Sequence, residues 1–134
     1  MPAYNFQNRF APLVRSGSKK TTIRGREARI GSTAYLFTGM RTKACQRLGQ
    51  SEIINCTPIK LGWRDNGCPR VQFRSQQLNT EQIAELAQGE GFSSAREMVS
   101  WFEKTYKQIT HTNDGGADVY AGFLIDWIPL TEAE

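Results

Sequence analysis

Four side chains in this sequence could do chemistry together: Lys19, Thr22, Arg24 and Glu90. A threonine hydroxyl is a poor nucleophile until a base takes its proton. Lysine is such a base only when burial or a nearby positive charge draws its pKa from about 10.4 toward neutrality. Arg15, Lys20 and Arg24 are the sequence neighbours that can supply that charge. A carboxylate such as Glu90 can position the ammonium form or shuttle its proton, although its own charge pushes the lysine back up. Glu90 stands between Gly89 and Gly91, and flexible backbone on both sides suits an acid aimed inward. On an extended segment Lys19 and Thr22 point to opposite faces, because their separation is odd. The chain must therefore turn for them to meet, which Gly17 and Ser18 allow. Each residue also has an ordinary role: a solvated lysine beside a helix end, a threonine in a strand, an exposed loop acid.

The elements that must position these residues follow from periodicity and caps. Phe10, Leu13, Val14 and Gly17 fall at i, i+3, i+4 and i+7, which predicts a short helix from Arg9 to Arg15. Pro12 fits its first turn and Gly17 its C-terminal cap. Lys19 to Arg24 reads as a loop entering a strand, and Ser32 to Thr38 as a strand. Lys43–Leu48 and Glu52–Leu61 read as two strands joined at Gly49-Gln50. Asn66-Gly67 marks a hairpin returning through Arg70 to Arg74. The period then changes. Asn79 with Gln82, and Ser94 with Glu97, have capping-box spacing. Ile83, Leu86 and Ala87 line one face of the first helix, which Gly89 ends. Met98, Trp101, Phe102 and Thr105 form the inner face of the second. His111 to Gly116 is a polar loop, and Val119 to Trp127 a long closing strand. The sum is one α+β domain over residues 1–134: a small, mostly antiparallel β-barrel with a short N-terminal helix and a two-helix insertion before the last strand.

The chain has 134 residues, 39% of them apolar and 22% charged, which excludes a wholly disordered chain. No apolar run approaches the roughly 18 residues of a membrane span. The first residues show no basic stretch followed by an apolar one, so no secretory signal is expected. Three cysteines without a CxxC pair (Cys45, Cys56, Cys68) and the single His111 argue against a disulfide framework and a zinc site. The expectation is a reducing, cytoplasmic setting with no metal and no cofactor. Cys56 reads as a buried small hydrophobe. Charge is split along the chain. Residues 1–74 hold 14 Lys and Arg against 3 Asp and Glu, while residues 75–134 hold 3 against 10. So basic a segment suggests a phosphate-bearing partner, unless the halves neutralise one another. Arg24, Arg26 and Arg29 are candidates for backbone phosphates. Tyr4, Phe6, Tyr35, Phe37 and Trp63 are candidates for base stacking, with Trp63, beside Gly62 at a hairpin, the best exposed of them. The acidic tail residues Glu132 and Glu134 suggest no role.

Gly17-Ser18-Lys19-Lys20-Thr21-Thr22-Ile23-Arg24 reads G-x-K-x-x-T-x-R, and Leu78 to Phe92 carries L-A-x-x-E-G-F at its end. These segments, in this order between a leading helix and a last strand, resemble the ASCH domain, a small β-barrel similar to the PUA RNA-binding domain. The pattern is similar to that of the bacterial N(4)-acetylcytidine amidohydrolases. That resemblance implies Lys19, Thr22 and Glu90 as a catalytic triad, with Gly17 and Arg24 in the binding signature. The chain departs from the short enzymes of that kind by extra length around Cys45–Phe73 and His111–Asp118, which bears on the substrate. Two functions follow. One is a metal-independent amidohydrolase acting on a modified nucleoside, with Thr22 as nucleophile, Lys19 as base and Glu90 as relay or orienting group. The other is a non-catalytic or weakly ribonucleolytic RNA-binding module using the same basic cleft and the candidate contacts Arg24, Arg26 and Trp63. A third reading is a regulator sensing a small nucleotide-like ligand there.

Overall fold

Two glycines with positive φ set the segments that carry the candidate residues. A computed structural model describes residues 2–131. Helix α1 (Ala11–Ser16) begins with Pro12 in its first turn and stops at Gly17, whose φ of 88° is left-handed. The Lys19 N–H then closes on Leu13 O at 2.9 Å, so Lys19 is wound onto the helix end before strand β2 (Thr21–Arg24) starts. Strand β1 (Ala3–Phe6) precedes the helix and pairs in parallel with β3 (Thr33–Thr38).

Gly49-Gln50 is not a turn. Residues Gln46–Trp63 form one 18-residue strand, β4. A register shift between Leu36 and Phe37 of β3 falls opposite Gly49, where a Cβ would lie 2.7 Å from Leu130 Cδ1. The glycine thus serves a bulge and a close contact rather than a chain reversal. Beyond Asn66-Gly67 the hairpin returns as β5 (Pro69–Phe73), followed by the two-residue β6 (Gln76–Gln77).

Helix α2 (Thr80–Gly89) opens with both halves of the Asn79–Gln82 capping box. It ends at Gly89 as expected, and the left-handed residue that turns the chain away is Gly91: its φ is 95°, its N–H reaches Gln88 O at 3.0 Å, and Phe92 N–H reaches Ala87 O at 2.9 Å. This is the Schellman arrangement, and it fixes Glu90 as the helix C-cap. Helix α3 (Ala95–Tyr106) takes Ser94 as N-cap. The second capping box forms by half, because the Glu97 carboxylate accepts from Ser93 N–H at 2.6 Å instead of from Ser94. The expected polar loop begins as the short strand β7 (Thr110–His111), and β8 (Ala117–Trp127) closes the chain.

Among the described residues the architecture is α+β, with one eight-stranded sheet and three helices. Strands run β1-β3-β4-β5-β6, and β8 pairs with β2, β4 and β7. Among the described residues the sheet does not close: β1 pairs only with β3, and β2 only with β8. A single buried cluster, from Tyr4 through Leu36, Ile59 and Met98 to Trp127, fills the space behind the sheet. The expected extra segments meet each other there. Arg70 on β5 is buried and paired with Asp114 at 2.9 Å and Asp118 at 3.1 Å, joining the β4–β5 hairpin to the loop before β8. Among the described residues, no helix is long and apolar enough to cross a membrane. Glu132 and Glu134 lie outside the described residues.

Candidate functional site

The gap between the unpaired edges of β1 and β2 is where the candidate residues gather. A cavity of about 260 Å³ opens there, walled by Phe6 of β1, Lys19, Thr22 and Arg24 of the β2 segment, and Glu90. Lys19, Thr22 and Glu90 are 4%, 4% and 3% exposed. Lys19 Nζ donates to Glu90 Oε1 at 3.0 Å. The other carboxylate oxygen, Oε2, accepts from the Thr21 hydroxyl. Both oxygens of a buried acid are therefore occupied, and the acid is pinned to two points 71 and 69 residues away in sequence.

Arg24 bridges the gap. Its Nη2 donates to Asn5 O of β1 at 2.9 Å, and its Nε donates to Thr22 Oγ1 at 2.9 Å. Residues 22 and 24 lie two apart on a strand and share a face, which makes that contact local. Thr22 and Lys19 reach the same cavity because Lys19 precedes the strand, wound against α1, and so escapes strict alternation. No direct hydrogen bond joins them; the Thr22 oxygen is held by Arg24.

The electrostatics follow from this burial. The Phe6 ring centre lies 5.8 Å from Lys19 Nζ and 5.1 Å from the Arg24 guanidinium carbon, so one aromatic ring faces two cations. Burial pulls the Lys19 pKa below its ordinary value, and Arg24 adds to that; the charge and hydrogen bond of Glu90 oppose it. Burial also lowers Arg24, although neighbouring tyrosines and Glu90 oppose the shift. The rest of the lining is largely aromatic, and Phe10 stands 5.6 Å from Lys19 Nζ. Phe10 packs edge-on against Phe92 at 5.5 Å and Trp101 at 6.3 Å, and Tyr106 stacks on Phe102 at an interplanar angle of 19°. A planar ring with a short polar substituent matches such a space.

The other expected site residues lie elsewhere. Gly17 is the α1 cap, with Leu130 O packed where a Cβ would stand, and it does not line the cavity. Arg26 is exposed beyond the end of β2. Trp63 is half-buried at the far end of β4, where its Nε1 donates to Glu103 at 2.7 Å and Arg96 lies 5.5 Å over its ring. It is a strut to α3 and does not line the cavity. Of the five aromatics expected to stack on bases, only Phe6 lines the cavity. Cys56 is half-buried and accepts weakly from Ala28 N–H at 3.5 Å. Among the described residues no three His, Cys, Asp or Glu side chains group as a metal site requires.

Sequence reasoning missed Thr21, Asn5 and Tyr106. Asn5 acts through its main-chain carbonyl, which no side-chain pattern reveals. Thr21 had a signal, as a hydroxyl two residues from Lys19 at the first strand position. No protein-family model matches the chain, and no curated protein or solved structure matches it either.

Proposed function

We propose that this protein is an ASCH-like hydrolase, built on a PUA-like barrel, that removes an acyl group from the exocyclic amine of a modified cytidine. The observation that carries the reading is the buried Lys19–Glu90 pair on one cavity with the Thr22 hydroxyl and Arg24. Thr22 Oγ1 attacks the acyl carbonyl carbon, and its proton passes to the neutral Lys19 amine. The substrate gains an oxyanion as Lys19 becomes ammonium, so the net charge inside the cavity is unchanged. That matters in a low-dielectric space, where new net charge is expensive. Arg24, already on the Thr22 oxygen, stabilises the developing charge. The C–N bond then breaks, and the leaving amine takes the proton from Lys19, which Glu90 holds in line. Water hydrolyses the Thr22 ester, releasing the carboxylic acid and restoring the hydroxyl. The aromatic wall of Phe10, Phe92 and Trp101 takes the pyrimidine ring.

The test is release of cytidine from N(4)-acetylcytidine without added metal, followed by chromatography. Lys19→Ala and Thr22→Ala are each expected to lower turnover by about 10²–10⁴-fold, the scale of a lost base or nucleophile. If Lys19→Ala and Glu90→Gln both keep wild-type turnover, the assignment is wrong.

One observation favours a second reading, the RNA-binding module: Thr22 Oγ1 is engaged by Arg24 and not by Lys19. A cavity that holds a base without turning it over needs no contact between nucleophile and base. That module binds RNA with an affinity that falls steeply with salt, because bound phosphates release counterions. A flat salt response removes it.

A further inference from the structure

The Glu90 carboxylate is held in a place that disfavours a negative charge. It is buried, and it caps the C-terminal end of α2, the negative end of the helix dipole, where the last turn carries no basic residue. Two donors offset that. Lys19 Nζ meets Oε1 at 3.0 Å, and the Thr21 hydroxyl meets Oε2. The donors differ in what else they reach: Lys19 lines the cavity and Thr21 does not. The β2–β8 ladder is the reason. Thr21 pairs with Asp126 and Thr22 with Ile125, and adjacent strand residues point to opposite faces. Thr22 takes the cavity side, so Thr21 reaches the carboxylate from outside the space a substrate would fill. The reaction above gives this second hydroxyl no part.

We infer that Thr21 is a positioning residue for Lys19, acting through Glu90: its hydroxyl fixes which carboxylate oxygen meets the lysine and takes up part of the negative charge that would otherwise act on the lysine alone. The hydroxyl has one hydrogen to give, and it gives it to Oε2, which leaves Oε1 for the ammonium. Burial lowers the Lys19 pKa, the charge and hydrogen bond of Glu90 raise it, and Arg24 lowers it. Glu90 is thus the group that keeps the proton on the lysine, and a donor that draws on the Glu90 charge eases the proton off. The free amine is the form the reaction needs. The other titratable and charged groups around the pair are Arg24 and the exposed Lys20 of the β2 segment, Asp126 of β8, Tyr106 of α3 on the cavity wall, and Arg9, whose Nη2 donates to Gly91 O at 3.4 Å. All of them stay in place when only the hydroxyl at position 21 is removed. The meaning for turnover rests on the hydrolase reading; the coupling of Thr21 to Lys19 does not.

The test compares Thr21→Val, which keeps the shape and drops the hydroxyl, with Thr21→Ser, which keeps the hydroxyl. The Lys19 Cε resonance of the full chain is followed by NMR across pH, assigned by its loss in Lys19→Met. Thr21→Val is expected to make Lys19 hold its proton about tenfold more tightly, a midpoint about one pH unit higher, the scale of one hydrogen bond to a charged group. Thr21→Ser is expected to leave the midpoint at the native value. In a Glu90→Gln background the Thr21→Val shift is expected to vanish, because no charge is left to share. A native midpoint in Thr21→Val, a serine variant that shifts as far as the valine one, or a shift that survives Glu90→Gln overturns the inference. The same spectra report whether each variant is folded. In the rate, the acid limb of kcat/KM for N(4)-acetylcytidine is expected to move up by the same amount in Thr21→Val, with KM on the plateau unchanged. A raised KM with an unmoved limb overturns the positioning role. A chain inactive on acylcytidines whose Lys19 shifts as stated supports the inference and removes only the hydrolase reading.

Discussion

Among the described residues two cations are buried, Lys19 at 4% and Arg70 at 7% exposure, and they differ in what surrounds them. Arg70 spends its fork on two carboxylates, Asp114 and Asp118, which are 65% and 25% exposed and remain in touch with solvent. Hydrogen bonds from Thr112 and the Gly116 N–H, with Arg70, hold the Asp114 pKa below the ordinary carboxylate range. Every group there is satisfied, and it fastens a hairpin to a loop. Lys19 has one carboxylate, Glu90, as buried as itself, and beside the pair is a cavity with a hydroxyl and a second cation on its wall. A buried ion pair is a poor way to stabilise a fold, because desolvation offsets most of its attraction. The contrast separates a charge used as a fastener from a charge kept where a ligand can reach it.

Four substitutions sharpen the contrast. The largest difference is expected in turnover: Lys19→Ala loses about 10²–10⁴-fold, and Arg70→Ala leaves the acylcytidine rate unchanged in the same assay. Next comes stability under urea. Glu90→Leu leaves the buried Lys19 without its partner and costs about 3–5 kcal/mol, whereas Lys19→Met with Glu90→Leu replaces the pair with apolar groups and is neutral or stabilising by about 1–4 kcal/mol. A double variant as unstable as Glu90→Leu alone would show that the pair is a fastener after all.

A smaller effect is expected in the pH dependence. The folded Lys19 pKa lies below its ordinary 10.5, so between the two values the unfolded chain holds more protons. Stability therefore rises with pH through that window, and Lys19→Met flattens the rise. Tyr120 has the opposite sign: burial raises it from 10.0 to about 12, so stability falls as pH climbs between those values. Urea midpoints measured on either side of 10.0 separate the two. The smallest effect is that of Trp63→Phe, which loses the bond to Glu103 and costs about 1 kcal/mol in the urea midpoint. It leaves turnover alone, because Trp63 stands outside the cavity.

Much of this arrangement is legible in the sequence wherever the cause is local. The α1 stop at Gly17, the Asn79–Gln82 box and the Asn66-Gly67 hairpin each depend on residues within a few positions. The failures come where a distant partner decides. Gly49 reads as a turn until Leu130 is known to pack on it. Strand β1 is four residues long and owes its existence to β3, about thirty positions away. Of the site, the resemblance supplied Lys19, Thr22 and Glu90, and all three reach one cavity. Trp63 was misplaced because exposure at a hairpin end depends on what docks there, here Glu103 and Arg96 of α3.

Gly91 carries a last consequence. Its backbone is left-handed, and a Cβ there would come within 2.8 Å of the Phe10 ring and 3.1 Å of Leu13. Position 91 thus behaves as a volume dial set next to the carboxylate. One added methyl would press on the ring of Phe10, which lines the hollow and stands 5.6 Å from Lys19 Nζ. The shape of the hollow is thus set in part by a backbone position outside its lining.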